Sequence, residues 1–522
     1  MHSREVGVQK NVPTRQQYDL DTANTVLLTE YGLTNYGRKN IVINESLEDF
    51  RDNPLKVIED NLSYILATHR ANCRDFEYLK QFEKGRQDIL DKMRANGEQK
   101  INNKHVSNFA WEFVNFKKGY YVGKPIKYVD LNTDDNSEIN YLNRYNRDIK
   151  KASKDLIKYE NMLIMGIAHT MTIPKRKAYD NEYESPYEYT VLDNNDVCVV
   201  KSNDIYKTKL FSMCISHMKD EEVGNYYIYT VYYDNNCLLI KHNDDNSLTL
   251  LQKTIMPVEN CITEYQLNEQ RMGVFEPVLV SLNSLNTIAS NQIDQLEENV
   301  NSYLTFENVD TSAIMSNIEE FRRKRTLVVE TNNPETPAKI GSIKVDIEQS
   351  SINNKYSEIK QEAYDIIGVP MPTSSTGQGV SGEAQVYGGG WENAQTIAQL
   401  DTEYIKQYEI EDLDKFIRIS RDSLNSKTKN LYTSDIEVKY TINKSNNMMV
   451  KAQSMTYFID KGFTREQALT FCEITDDPQT EGKIADENYV NQKNLDTELE
   501  LQKTEKLQEI NSKNQNNQEK GI

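Results

Sequence analysis

Seven apolar residues, Val278, Leu282, Leu285, Ala289, Ile293, Leu296 and Val300, step along the chain by 4, 3, 4, 4, 3 and 4. The mean repeat of about 3.67 residues is that of a nearly straight α-helix carrying one apolar stripe. A helix from Glu276 to Asn301 would run roughly 39 Å at ~1.5 Å per residue. The same stretch is depleted in cations. No Lys or Arg lies between Arg271 and Arg322, whereas Glu276, Asp294, Glu297, Glu298, Glu307, Asp310, Glu319 and Glu320 supply eight acids. Such a face is either an ordinary solvated surface or one that repels phosphates. Arg322, Arg323, Lys324 and Arg325 follow at once. A cluster of this kind sits in solvent, pairs with acids or docks an acidic partner.

Around this helix the hydrophobic period changes repeatedly, so the chain reads as α+β and mostly helical. Residues 1–50 are polar and mixed, and are expected to be partly ordered at best. Helical patterns cover Asn53–Met93, Asn102–Tyr120 and Asn143–Met171. Gly119 and Gly123 are expected to bracket the end of the second of these, and Pro125 to fix an extended exit into Ile126–Val129. Residues 185–258 alternate as strands, with a hairpin turn at Asp234-Asn235-Asn236. After the long helix come two strand-like runs, "RTLVVE" and "GSIKVDI", and a helix over Ser351–Ile367 stopped by Gly368 and Pro370. A long helix over Trp391–Leu424, a strand "DIEVKYTIN" and two short helices complete the pattern. An Asn/Gln/Lys/Glu-rich tail is expected to be disordered from about Asn511.

The 522 residues are enough for two to four packing units. The formal net charge of −19 is opposite to that of a simple nucleic-acid binder. It suits a surface past which a polyanion slides, because each phosphate contact by Lys or Arg adds salt-dependent affinity. The six cysteines form no C-x-x-C pair, fit neither a disulfide framework nor a zinc site, and indicate a reducing compartment. No apolar run is long enough to span a membrane and no signal peptide is apparent.

Motifs for catalysis are weak. "GQGVSG" (Gly377–Gly382) matches G-x-G-x-x-G, but no strand precedes it, and no P-loop lysine accompanies it. The six histidines include no pair at i, i+4 and no H-E-x-x-H frame, and there is no G-x-S-x-G elbow. No catalytic, cofactor-binding or metal-ligating residue is therefore assigned. Residues 371–391 hold six of the 21 glycines and a single charge, Glu383. A neutral loop of this length between helices is either a plain surface loop or a functional one.

Four blocks, in this order, resemble the portal proteins of tailed bacteriophages, of the SPP1 type. They are "EYLKQFEKGRQDIL" (Glu77–Leu90), "NNKHVSNFAWEFVNFKKGYYVGKPIKY" (Asn102–Tyr128), "IKQEAYDIIGVPMP" (Ile359–Pro372) and "GQGVSGEAQVYGGGWENAQ" (Gly377–Gln395). The second is the most specific, through Gly119, Tyr120, Gly123, Lys124 and Pro125. The resemblance implies a portal fold with wing, stem, clip and crown, assembled as a ring, commonly a dodecamer. It implies an N-terminal polar segment (1–50), a wing (51–275), a stem helix (276–301), a clip (302–349) and a second stem helix (350–368). A tunnel loop (369–390), a long helix with a wing strand (391–445), a crown (446–510) and the tail (511–522) follow.

Under this resemblance Thr373, Ser374, Ser375, Gln378, Gly379, Val380, Glu383 and Gln385 belong to the tunnel loop. Glu276, Asp294, Glu297 and Glu298 face the channel from the stem, and Arg322, Arg323, Lys324 and Arg325 meet a partner at the clip. Duplex DNA passes through the ring. The large terminase subunit, head–tail connectors or adaptors, and the major capsid and scaffolding proteins are the implied partners. The place is the virion vertex, after assembly in the host cytoplasm, with no membrane, no cofactor and no enzymatic activity. Twelve stem helices ~10 Å apart give a circumference of about 120 Å and, less one helix thickness, a bore of roughly 28 Å. The alternatives are another virion connector or minor head scaffold protein, or a cytoplasmic nucleotide-dependent enzyme.

Overall fold

A computed structural model describes the chain except residues 1–32, 94–100, 132–136, 176–183, 221–223, 244, 246, 301–302, 309–332, 334, 338, 344–348, 372–389, 443–447, 473, 476–477 and 519–522. In chain order the elements begin β1 (Ile41–Ile43), α1 (Leu47–Asp52), α2 (Pro54–Glu83), α3 (Phe109–Val122), β2 (Lys127–Asp130), α4 (Ser137–Asp148) and α5 (Lys151–Met165). Then come β3 (Ile167–Pro174), β4 (Tyr187–Leu192), β5 (Val197–Ser202), β6 (Lys209–Asp220), β7 (Gly224–Tyr233), β8 (Asn236–His242), β9 (Leu248–Ile255) and β10 (Ile262–Gln266). The stretch α6 (Leu279–Val300), β11 (Tyr303–Glu307), β12 (Lys339–Ile343), α7 (Gln349–Ile367) and α8 (Trp391–Asp422) follows. The chain ends with β13 (Ile436–Lys439), α9 (Met448–Asp460), α10 (Arg465–Cys472) and α11 (Pro478–Gln518). The fold is α+β with helices in the majority.

The chain forms two compact units. The first comprises Met1–Lys118, Leu156–Thr172 and Thr190–Tyr408; the second comprises Gly119–Asp155, Ile173–Tyr189 and Glu409–Ile522.

In the first unit a six-stranded sheet runs β1-β5-β6-β7-β8-β9, with β1 parallel to β5 and the other neighbours antiparallel. One face of the sheet is apolar and α2 covers it. Val57, Ile58, Leu62 and Ile65 pack on Val200, Phe211, Met213, Val231 and Ile240. Phe50 of α1 stacks on Phe211 with ring centroids 4.7 Å apart. Removing this cluster from water stabilises the unit by ~25 cal/mol per Å² of apolar surface covered. Asp234 takes φ 40° in the hairpin between β7 and β8, where the turn was expected.

In the second unit β2 pairs antiparallel with β13, so the strand leaving the Gly-Lys-Pro block finds its partner near the end of the chain. The ammonium of Lys151 is buried between Asp155 (2.9 Å) and Glu409. Glu409 also accepts a hydrogen bond from the Tyr128 hydroxyl at 2.6 Å. Burial opposes the charge on Lys151, but the two carboxylates outweigh it and hold the ammonium well above its ordinary range. Tyr187 stacks on Phe416 beside this cluster, ring centroids 4.4 Å apart.

Several expectations are corrected. Residues 33–50 belong to the fold, because β1 adds to the main sheet and α1 supplies Phe50 to the core. The helix expected over 53–93 ends at Glu83; Gly85 turns the chain at φ 89°, and a 3₁₀ turn covers Asp88–Asp91. The helix expected from Asn102 begins only at Phe109. Gly119 lies inside α3 rather than at its end. The pattern over 143–171 is two helices and a strand. Lys150 (φ 56°) breaks the helices apart, and Gly166 (φ 81°) turns the chain into β3. A Cβ on Gly166 would stand 2.1 Å from the Arg271 carbonyl oxygen, so only glycine fits this crossing. The tail is helical to Gln518, and among its described side chains almost all are exposed.

Candidate functional site

Three segments hold α6. At its base, the 3₁₀ turn Glu276–Val278 leads into the helix, and Glu276 is wholly buried. Its carboxylate accepts from Arg38 Nη2 at 2.6 Å, from the Gly37 N–H at 3.1 Å and from the Gly273 N–H. Burial pushes the Glu276 carboxyl up, against the pull of Arg38 and the two backbone N–H groups. Burial likewise pulls the Arg38 guanidinium down, against Glu276 and Asp75. Val278, Leu282 and Leu285 seat this end of the apolar stripe in the core.

Further along, residues 101–108 run extended beside the helix. Their alternate N–H groups donate to side chains of α6: Ser107 to Asn286 Oδ1 (2.7 Å), His105 to Ser290 Oγ (2.9 Å) and Asn103 to Asp294 Oδ1 (2.6 Å). The match is geometric. Residues i and i+4 on a helix are separated by ~6 Å of rise, and residues i and i+2 on an extended chain by ~6.6 Å. Asn, Ser and His are modest helix formers, so this polar edge outcompetes the helix expected over 102–108. Lys92 Nζ adds a 2.9 Å ion pair to Asp294. Burial works against the Asp294 charge. The Asn103 N–H, Lys92 and the Asn103 amide outweigh it and bring the carboxyl down to about 2.

The third support is α7. Gln292 Nε2 donates to Asn353 Oδ1 at 2.9 Å, and the Tyr356 hydroxyl lies 3.4 Å from that of Ser107. The aromatic helix α3 braces α7 in turn: Phe113 meets Tyr364 edge-on at 5.0 Å, and Phe109 meets it at 6.0 Å. The Asn102–Tyr128 block is thus a packing element. Phe113, Val114, Tyr120, Tyr121 and Tyr128 are buried, while Gly119, Gly123, Lys124 and Pro125 are exposed.

A family model described as phage portal protein, SPP1 Gp6-like, matches residues 62–520. The chain belongs to that portal family. No curated protein matches it.

The side-chain positions bear on the four acids that the sequence singled out along the α6 region. Glu276 and Asp294 do not face solvent in this chain. Both are buried, the first under residues 37–38 and the second under residues 103 and 92. Glu297 is exposed and accepts from Asn103 Nδ2 at 2.9 Å. The side chain of Glu298 lies outside the described residues. So do Arg322, Arg323, Lys324 and Arg325, and all the tunnel-loop residues, Thr373, Ser374, Ser375, Gln378, Gly379, Val380, Glu383 and Gln385. Of the two strands expected in the clip, the first is outside the described residues; the second is described only over 341–343, where it forms the end of β12, paired antiparallel with β11.

Sequence reasoning missed Asn286 and Ser290. Their signal was a second stripe, polar and stepping by four through Asp294, beside the apolar one. Among the described residues no group of three or more His, Cys, Asp or Glu is placed to hold a metal ion. No described helix is long and apolar enough to cross a membrane.

Proposed function

We propose that copies of this chain close into a ring, commonly of twelve, at one capsid vertex, and that genomic duplex DNA enters and leaves along its axis. In this reading α6 and α7 form the stem, residues 302–349 the clip and residues 369–390 the loop nearest the DNA. The large terminase subunit docks at the clip around Arg322–Arg325 during packaging and supplies the ATP hydrolysis. Head–tail connectors replace it afterwards, and capsid and scaffolding proteins surround the wing. The chain itself is mechanical and performs no catalysis.

The observation that carries this reading beyond family membership is the surface of α6. The helix has no cation from Leu279 to Val300, and Ile293 and Leu296 of the apolar stripe are 38% and 54% exposed. An isolated chain gains nothing from a bare apolar stripe, whereas a neighbouring copy covers it. Glu297 is exposed beside it, and a surface without Lys or Arg lets a polyanion pass without the salt-dependent grip that those residues create. Two measurements test the proposal together: the mass of the purified assembly and negative-stain images of it. The expected result is a closed ring with an open axial hole. A monomer at high concentration, or a hole filled by packed side chains, rejects it.

A further inference from the structure

The two faces of α6 are treated differently along its length. Near the base the apolar stripe is buried and fixes how the helix is turned about its axis. In the last two turns the stripe is bare at Ile293 and Leu296, and apolar packing within the chain no longer sets the rotation. Among the described side chains from residue 290 onward, the buried ones are Ser290 and Asp294, on the polar stripe. At 100° per residue, the polar stripe Asn286-Ser290-Asp294 is centred roughly a quarter-turn away from the apolar one.

We propose that residues 101–108 act as a clasp that sets the rotation and register of the outer half of α6, with Asn286, Ser290 and Asp294 as its positioning residues. That this setting matters for a DNA-conducting ring rests on the proposed function; the clasp itself does not. Three features mark it as a device of its own. Its rungs join backbone donors to side-chain acceptors at strictly alternate residues, 103, 105 and 107. Its start is tied off, since Lys92 reaches both Asn291 and Asp294, and Asn102 Nδ2 donates to the Lys92 carbonyl at 3.1 Å. Its end is anchored as well: Asn108 Nδ2 donates to the Glu83 carbonyl at 2.7 Å, and the Asn286 amide donates to Gln87.

The geometry makes the register specific. Leu282, one turn below Asn286, has no acceptor to offer, so the ladder cannot shift one turn toward the base without losing a rung. Moving the extended chain by one residue would present the wrong N–H groups to all three acceptors. The clasp therefore holds α6 in one setting, and it opens as a unit because its rungs share one short segment.

Hydrogen exchange on the full-length purified assembly, read at single-residue resolution, tests this. Slow amides are expected at Asn103, His105 and Ser107, and faster ones at Lys104 and Val106 between them. Asn286→Ala with Ser290→Ala is expected to speed exchange at 103, 105 and 107 by tenfold or more and to raise exchange in the last two turns of α6, while the base of the helix stays slow. Ser290→Thr keeps the hydroxyl and is expected to behave like the native chain. Uniform exchange along 101–108 in the native protein overturns the clasp, as does an unchanged pattern in the double variant. The readout needs no DNA, so an assembly that fails to conduct DNA removes the proposed function and leaves this test standing.

Discussion

Glu276 lies at the base of the α6 region and Asp294 near its far end, and both carboxylates are fully covered. At the base, an apolar core surrounds the charge and one buried guanidinium answers it. At the far end there is little apolar cover, and two N–H donors of Asn103 and the Lys92 ammonium do the work. Burial raises the first carboxyl, whereas donors lower the second to about 2. Solvation, more than the sign of the neighbouring charge, separates them. A carboxylate inside a core pays for desolvation even when paired, while one held by donors at the edge of the protein stays ionised.

The largest test of this contrast is Arg38→Met. It leaves Glu276 buried without its guanidinium, and a loss of about 3–5 kcal/mol is expected in urea unfolding. A loss under about 1 kcal/mol would mean that the backbone N–H groups of residues 37 and 273 suffice. A smaller effect is expected from acid. The folded-state carboxyl of Asp294 is depressed from 3.8 to about 2, so its contribution is present above pH 3.8 and is lost as pH falls through this window. That contribution amounts to about 2 kcal/mol. Asp294→Asn should accordingly be less stable than the native chain at pH 7 and lose less between pH 5 and 2. Glu276, with its carboxyl raised, has the opposite sign. It favours the folded state most at low pH and loses that contribution as pH rises through its folded value. The smallest effect on stability is expected from Leu296→Ser, which alters an exposed residue. Unfolding of the separated chain should move by no more than about 0.5 kcal/mol, while the proposed ring forms less readily. Unchanged assembly would sever the exposed stripe from oligomerisation.

Regular periods were readable in the sequence. The stripe from Val278 to Val300, the strands between Val197 and Ile255, and the glycine stop at Gly368 all follow local rules, and the structure keeps them. What escaped depended on distant partners. Residues 102–108 read as helix because Val106 and Phe109 have helical spacing; α6, far along the chain, supplies the acceptors that draw them straight. Ile167–Met171 looked like the end of a helix until paired with Ile262–Gln266. The channel face was chosen by charge alone, which cannot tell a solvated acid such as Glu297 from a buried one such as Asp294. Arg38, the partner of Glu276, stood in a region read as a polar, partly ordered segment.

The second unit also has a timetable. Tyr128 finds its acceptor in Glu409, 281 residues downstream. At a synthesis rate of roughly 5–20 residues per second, the ribosome needs on the order of 14 to 56 s to deliver that carboxylate. Until then Lys151 and Tyr128 lack the carboxylate that both use in the folded unit. The charge cluster of the second unit therefore closes only after residue 409 has left the ribosome, however early its tyrosine and lysine were made.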